Sequence, residues 1–442
     1  MNPIPQVRSL LSTFCRRSAR RRARSAGLWL VGASLSLTAV AELVPSPVTL
    51  QLVSRGGILE LSWPTHSVIT NTGRTPIYPG YVLQASTDLA YWWDTFVVVP
   101  PRVGGPASLV QTNFAPIPVL PNLFLRVRSE LNLAGADLSN GDFRDVDFSG
   151  MNLTGTRFHR AQLGNARFDR ATLDLAELTE VQAPGATFEN ARADGLVATG
   201  GDFSNTTWKG VVLDAVDFES ARLSGVDLSG LSLVRTKLNR AQLSGAVLNG
   251  ADLSYAELDG AVATDASFRD IRASYLQATD GDFRRSFWDR AQLDSARLDD
   301  SDFEQADFNA ARLTGATAQR TRFHNAYFND TVMNNALCVG ADFSEATFTD
   351  AQVGATSFRN AKMHSVDFDG TDGEEADFYG AVLTDSVFQE CDFSLADFRT
   401  ANLSGSEMER SDFRFCDFRG ANLNDVSAWF CDFTGAQFWG AP

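Results

Sequence analysis

The side chains able to do chemistry are few and widely spaced. The histidines are His66, His159, His324 and His364, and the cysteines are Cys15, Cys338, Cys391, Cys416 and Cys431, no two of them in a C-x-x-C pair. A zinc site gathers N and S ligands at ~2 Å, with short paired spacings in the sequence. No such pairing occurs. No Ser-His-Asp constellation or glycine-rich phosphate loop stands out, and "GDF" reads as a variant of a repeat. The sequence therefore names no catalytic residue, no cofactor and no metal ligand set, and a non-enzymatic protein is expected. One acidic pattern is regular. Asp372, Asp392, Asp412 and Asp432 are spaced by twenty, and so are Asp377, Asp397 and Asp417. Carboxylates brought together in this way could collect a hard cation such as calcium, or a basic partner, if the chain returns to the same place every twenty residues.

A shorter period lies beneath that spacing. In "AQLSGAVLNGADLSYAEL" the residues Leu243, Leu248, Leu253 and Leu258 are five apart, each with alanine two residues before it. A helix repeats every ~3.6 residues and a strand every 2, so neither keeps every fifth residue on one face. The beat starts at Leu133, Leu138, Phe143 and Phe148 and reaches Phe433 and Phe438 without a frame shift, about 62 pentapeptides in all.

The motifs "ADLSN", "ANLSG", "ADFRT" and "AQLSG" resemble the pentapeptide-repeat family, whose consensus is A-(D/N)-L/F-x-x. The resemblance spans residues 131–440 and implies an all-β fold, a right-handed quadrilateral β-helix. Four pentapeptides would make one square coil, with the central residue and the residue two before it facing inward. Residues twenty apart should then stack in columns. The column Phe148, Phe168, Phe188, Trp208, Leu228, Leu248, Phe268, Trp288, Phe308, Phe328 is largely aromatic, whereas Leu133, Leu153, Leu173, Ala193, Leu213, Leu233 is leucine and alanine. Volume is balanced within coils as well. Trp208 shares its coil with Ala193 and Ala198, and Trp288 shares its coil with Ala273 and Ala278, as a narrow close-packed tube requires. These two blocks are 80 residues apart, a whole number of coils, which suggests an internal duplication.

In this frame His159, His324 and His364 follow central residues and face outward. His324 and His364 are two coils apart, roughly 10 Å at the ~4.8 Å strand spacing, too far to share a metal. Cys338, Cys391, Cys416 and Cys431 take inward positions, as buried free thiols or, for Cys416 and Cys431, as a disulfide. Some 15 coils make a rod about 75 Å long with no obvious cleft. The aspartate columns serve either local turn hydrogen bonds and solubility, or a cation or partner surface, with Arg399, Arg414 and Arg419 placed to neutralise part of the charge.

The first 41 residues contain seven arginines and no acid, then the apolar stretch "GLWLVGASLSLTAVA" ending in Ala39, Val40 and Ala41. This reads as a cleaved secretory signal, with an uncleaved anchor as the weaker reading, and implies export to the periplasm, cell surface or exterior. The export route, Sec or twin-arginine, stays open. Once the signal is removed, 31 basic residues face 54 acids, a net charge of −23, and all the excess follows Glu130. An acidic surface disfavours nucleic-acid binding. Residues 42–130 alternate β-rich runs with glycine and proline. "LELSWP", "GYVLQASTDLAYW" and "LFLRVR" resemble a fibronectin-like β-module of secreted bacterial proteins, with Leu125 where that module usually has tyrosine. A small β-sandwich at 42–130 and a β-helix at 131–442 are the expected domains, the first packing over Leu133 and Leu138 as a cap. At the other end Trp429, Phe430 and Trp439 are the residues available to cover Phe433 and Phe438, either in a tail-to-tail homodimer or as a self-folded monomeric cap. The expected function is a secreted scaffold or interaction rod binding a protein or envelope partner, with no membrane span after signal removal. The alternative, implied by the family, is a DNA-mimicking inhibitor of an enzyme such as gyrase, if the protein is cytoplasmic.

Overall fold

The computed structural model describes residues 133–441 in full, together with the backbone of nine strands between Ser34 and Glu130. The chain divides into two compact units, Met1–Thr70 with Pro76–Glu130, and Asn71–Thr75 with Leu131–Pro442. In the first, β1 (Ser34–Leu35), β2 (Leu50–Arg55), β3 (Ile58–Pro64) and β8 (Leu109–Asn113) form a sheet in the order 1-2-3-8. The strands β6 (Trp93–Val99), β5 (Gly80–Ser86) and β9 (Phe124–Glu130) form a second, and β4 (Ile77–Tyr78) pairs with β7 (Arg102–Val103). Every pairing among these nine strands is antiparallel. Apart from β1, the expected signal lies outside the described residues, as do His66, Cys15 and the capping contact expected at the front.

The second unit is a four-sided β-solenoid. Its coils are joined by parallel bridges between residues twenty apart, from Asp137↔Arg157 to Asp417↔Gln437. Most bridges rest on two backbone hydrogen bonds. Leu138 N–H donates to the Arg157 carbonyl at 2.7 Å, and Arg157 N–H donates to the Ala136 carbonyl at 2.9 Å. A strand segment this short buries the residues on either side of the bridge and exposes the bridging residue. Among the described residues of this unit, three coil sides extend into short strands, β10 (Val387–Gln389), β11 (Glu407–Glu409) and β12 (Ser427–Trp429), which pair in parallel.

Most sides end in a tight turn closed by a bond from the residue three further on, as in Ala136 N–H to the Leu133 carbonyl at 2.9 Å, whereas Gly281, Val366 and Cys391 donate instead to the hydroxyls of Ser301, Ser386 and Ser411 in the next coil. The third residue of such a turn needs positive φ, the type II requirement that normally selects glycine. Gly135 and Gly155 satisfy it, but so do Leu175, Tyr255, Tyr275, Leu395 and Phe415, all with φ between 55° and 64°. Their side chains lie outside the wall, on one corner of the solenoid.

The interior has almost no access to solvent. Coil rise and ring stacking coincide, because a phenylalanine every twenty residues meets its successor at about one strand spacing. Phe148 and Phe168 are 5.0 Å apart at 10°, Phe168 and Phe188 4.9 Å apart at 4°, and Phe328 and Phe348 4.9 Å apart at 7°. Trp208 lies flat on Phe188 at 4.0 Å, and Trp288 lies on Phe268 at 4.1 Å. Ala193, Ala198, Ala273 and Ala278 are all buried in the coils of these two tryptophans.

Two features of the core concern polar groups and glycine. Buried hydroxyls two residues before a central position donate to a main-chain carbonyl, as Thr156 does to Leu133 and Thr236 to Leu213. At the tryptophans the hydroxyl does more. Thr206 Oγ1 accepts the indole N–H of Trp208 at 2.8 Å and donates to the Phe203 carbonyl at 2.6 Å, and Ser286 serves Trp288 and Phe283 in the same way. The three "GDF" sequences also acquire a reason. A Cβ at Gly141, Gly201 or Gly281 would collide with the ring of Phe143, Phe203 or Phe283, so glycine makes room for the aromatic two residues later.

Candidate interaction surface

With the central and preceding inward positions occupied by the core, chemistry is left to the bridging residues and the corners. The structure brings the aspartates together as the spacing predicts. Asp372, Asp392, Asp412 and Asp432 are successive bridge partners on one side, and Asp377, Asp397 and Asp417 on the next. Each carboxylate accepts the backbone N–H two residues on, for example Ser394 to Asp392 at 2.9 Å, Arg399 to Asp397 at 3.0 Å and Thr434 to Asp432 at 2.8 Å. Arginines then neutralise part of the array. Arg414 pairs with Asp412, Arg399 with Asp397 and Asp417, Arg419 with Asp417, and Arg359 with Asp377. The hydrogen bond from Arg419 holds the Asp417 carboxyl below its usual range, and the bond from Thr434 does the same for Asp432. Among the described residues no group of three or more His, Cys, Asp or Glu side chains is arranged to hold a metal ion. The aspartates bond to turns and arginines instead.

His364 Nδ1 lies 2.8 Å from Thr384 Oγ1 and 3.5 Å from Asp385, an exposed corner contact. The four described cysteines are free, so no disulfide joins Cys416 and Cys431. Cys391 donates its S–H to the Phe368 carbonyl and Cys416 to Phe393, in the same role as the buried hydroxyls, and burial pushes both thiols up to about 12. They are core residues with the thiolate suppressed. Cys431, in the last coil, is only partly buried.

The last coil differs from the others. Phe413 and Phe418 donate their N–H groups to Asp432 and Gln437 of the next coil, whereas Phe433 and Phe438 find no such acceptor among the described residues. Around this edge Trp429 is 64% exposed, Phe430 83% and Trp439 84%, and Phe438 is also exposed. The residues singled out in the sequence thus all lie in the last coil, Trp429 and Phe430 across it from Trp439. Trp429 is held there by its indole N–H, which donates to Ser427 Oγ at 2.7 Å.

The chain matches the family model for pentapeptide repeats (8 copies) over residues 132–170, 157–192, 197–230, 232–270, 376–414 and 411–441, and the model for a pentapeptide repeat region over 321–392. Together these cover more than half of the sequence. The chain belongs to the pentapeptide-repeat family. No curated protein matches its sequence. Among solved structures it is similar to HetL, a pentapeptide repeat protein involved in heterocyst differentiation regulation from the cyanobacterium Nostoc sp. strain PCC 7120. Identity there is 20%, over 60% of this chain and 87% of that one, with a TM-score of 0.19. Full-length QnrB1, a plasmid-mediated fluoroquinolone resistance protein, is 20% identical over 47% of this chain and 92% of its own, with a TM-score of 0.20. Rfr23 from the cyanobacterium Cyanothece 51142 is 16% identical over 30% of this chain and 90% of its own, with a TM-score of 0.22.

Proposed function

We propose that this pentapeptide-repeat protein is an exported, non-enzymatic interaction scaffold. An acidic solenoid presents its sides and its last coil to a protein or envelope partner. The observation that carries this reading is how the polar side chains are used: the regular aspartates are committed to turns and arginines, and the three most exposed aromatics, Trp429, Phe430 and Trp439, lie in the last coil. A surface of this kind binds through shape, charge and apolar area rather than through a reaction centre. Export rests on the arginine-rich start and the Ala39-Val40-Ala41 cleavage signal, and the strands of residues 42–130 are read as a β-sandwich module. The test is a pull-down from the exported fraction with the mature protein as bait. The control is a variant with Asp372, Asp392 and Asp412 replaced by lysine. Loss of the captured partner in the control supports the scaffold, and the absence of any specific partner for the wild type counts against it.

The adjacent aspartate columns favour one alternative, a DNA-mimicking inhibitor of a DNA-binding enzyme such as gyrase. Its strip of charge is partly cancelled by Arg399, Arg414 and Arg419. Recovery of the protein from the cytosol with residues 1–41 intact would favour this alternative over the scaffold.

The open edge of the last coil supports a homodimer in which two copies meet tail to tail and cover Phe433, Phe438, Phe430 and Trp439. Light scattering at tens of micromolar distinguishes a dimer that Phe430→Asp with Trp439→Asp dissociates from a wild-type monomer, which would rule this assembly out.

A further inference from the structure

A groove of about 260 Å³ runs along the side of the solenoid formed by β10, β11 and β12. One bank is the bridging column Val387, Glu407 and Ser427, and the other is the corner column Gln389, Glu409 and Trp429. Between them Phe388 and Met408, with side chains buried in the core, contribute backbone to the floor. The Trp429 indole is fixed by its bond to Ser427 yet remains 64% exposed, so a preorganised aromatic wall closes one end. The two glutamates are not equivalent. Arg410 reaches Glu409 at 3.2 Å and Glu390 at 3.6 Å, while Glu407 has no ion-pair partner among the described residues.

We propose that this groove is a receptor for a single arginine side chain of a basic partner. The proposal rests on the scaffold reading and specifies the chemistry of its partner. Ligand pockets for drug-sized molecules run from about 300 to 1,000 Å³, so this volume suits one long side chain better than a free cofactor. An arginine stem can lie on Val387 and the backbone floor, where its methylenes lose water contact. Its guanidinium can stack on the Trp429 indole and form a fork with the Glu407 carboxylate. Lysine offers a point charge without the planar stack, and an acidic side chain meets two carboxylates.

The test is a titration of the full mature protein, ¹⁵N-labelled at tryptophan, with N-acetyl-arginine methylamide, its lysine analogue and N-acetyl-glutamate methylamide. The indole resonance of Trp429 is assigned by its loss in Trp429→Phe, and the buried indoles of Trp208 and Trp288 report that each variant is folded. The arginine compound should shift the Trp429 signal saturably, the lysine compound should bind at least threefold more weakly, and the glutamate compound should leave the signal in place. Glu407→Gln should weaken arginine binding at least fivefold, whereas Glu390→Gln, outside the groove, should not. Equal responses to all three compounds, or unchanged affinity in a folded Glu407→Gln variant, would overturn the proposal. A negative titration beside a captured partner removes the groove and leaves the scaffold, and a positive titration with no captured partner does the reverse.

Discussion

Trp208 and Trp288 in the middle coils, and Trp429 and Trp439 in the last, are the same residue in opposite environments. The first pair occupies central positions, fully buried, each stacked on a phenylalanine and each with its N–H satisfied by a hydroxyl two residues earlier. The second pair occupies the position after the centre, on the corners, at 64% and 84% exposure. Hydrophobicity cannot distinguish them. Place in the five-residue frame can, because the frame decides which side chains the wall turns inward, and the next coil then closes over them.

Truncating a central tryptophan should separate the two environments most. Trp208→Ala empties a fully enclosed site and should cost about 3–5 kcal/mol in urea unfolding, while Trp439→Ala should stay within about 0.5 kcal/mol. Overpacking comes next. Gly281→Ala puts a methyl group where the Phe283 ring lies, and a loss of about 1–3 kcal/mol is expected from the same melts. Thr206→Val keeps the shape but strands the Trp208 N–H, for about 1–3 kcal/mol, and Thr206→Ser should recover most of that loss. Equal stability of the valine and serine variants would remove the indole bond from the account.

The smallest effect is on the exposed columns. The Asp417 carboxyl is held below its ordinary range by Arg419, so the folded state favours the ionised form. Its contribution is complete above the unfolded value of about 3.9 and is lost as pH falls through the lower folded value. Arg419→Gln should move the Asp417 titration, followed by carboxyl ¹³C shifts, upward toward the ordinary value, with little change in stability at pH 7.

Much of this architecture could be read from the sequence because two periods are superposed in it. The period of five sorts residues inside from outside, and the period of twenty decides what stacks, as Phe148 on Phe168 and Asp392 on Asp412 bear out. The pairing of tryptophan with alanine in one coil was legible too. Less visible was chemistry that depends on direction rather than spacing. Thr206 and Ser286 resemble any small inward residue until the indole N–H is placed beside them, although a hydroxyl two residues before each inward tryptophan is a signal that could have been read. Leu175, Leu395 and Phe415 stand where positive φ would suggest glycine, and the hydrogen-bonded turn outweighs a local preference that costs only about 1–2 kcal/mol per residue. The groove beside Trp429 was hidden because it depends on one ring folding toward Ser427 and one arginine choosing Glu409 over Glu407.

If both periods are structural requirements, a deletion that preserves them should be tolerated and one that breaks them should not. Removal of residues 231–250 takes out one complete turn and leaves every column aligned. Removal of residues 231–247 takes out less chain but shifts the frame. Urea unfolding followed by circular dichroism should give a cooperative transition of near wild-type midpoint for the twenty-residue deletion, with a somewhat lower slope because less surface is exposed on unfolding. The seventeen-residue deletion should lower the midpoint sharply or abolish the transition. Equal damage from the two deletions, or a frame-shifted protein as stable as the aligned one, would contradict the account.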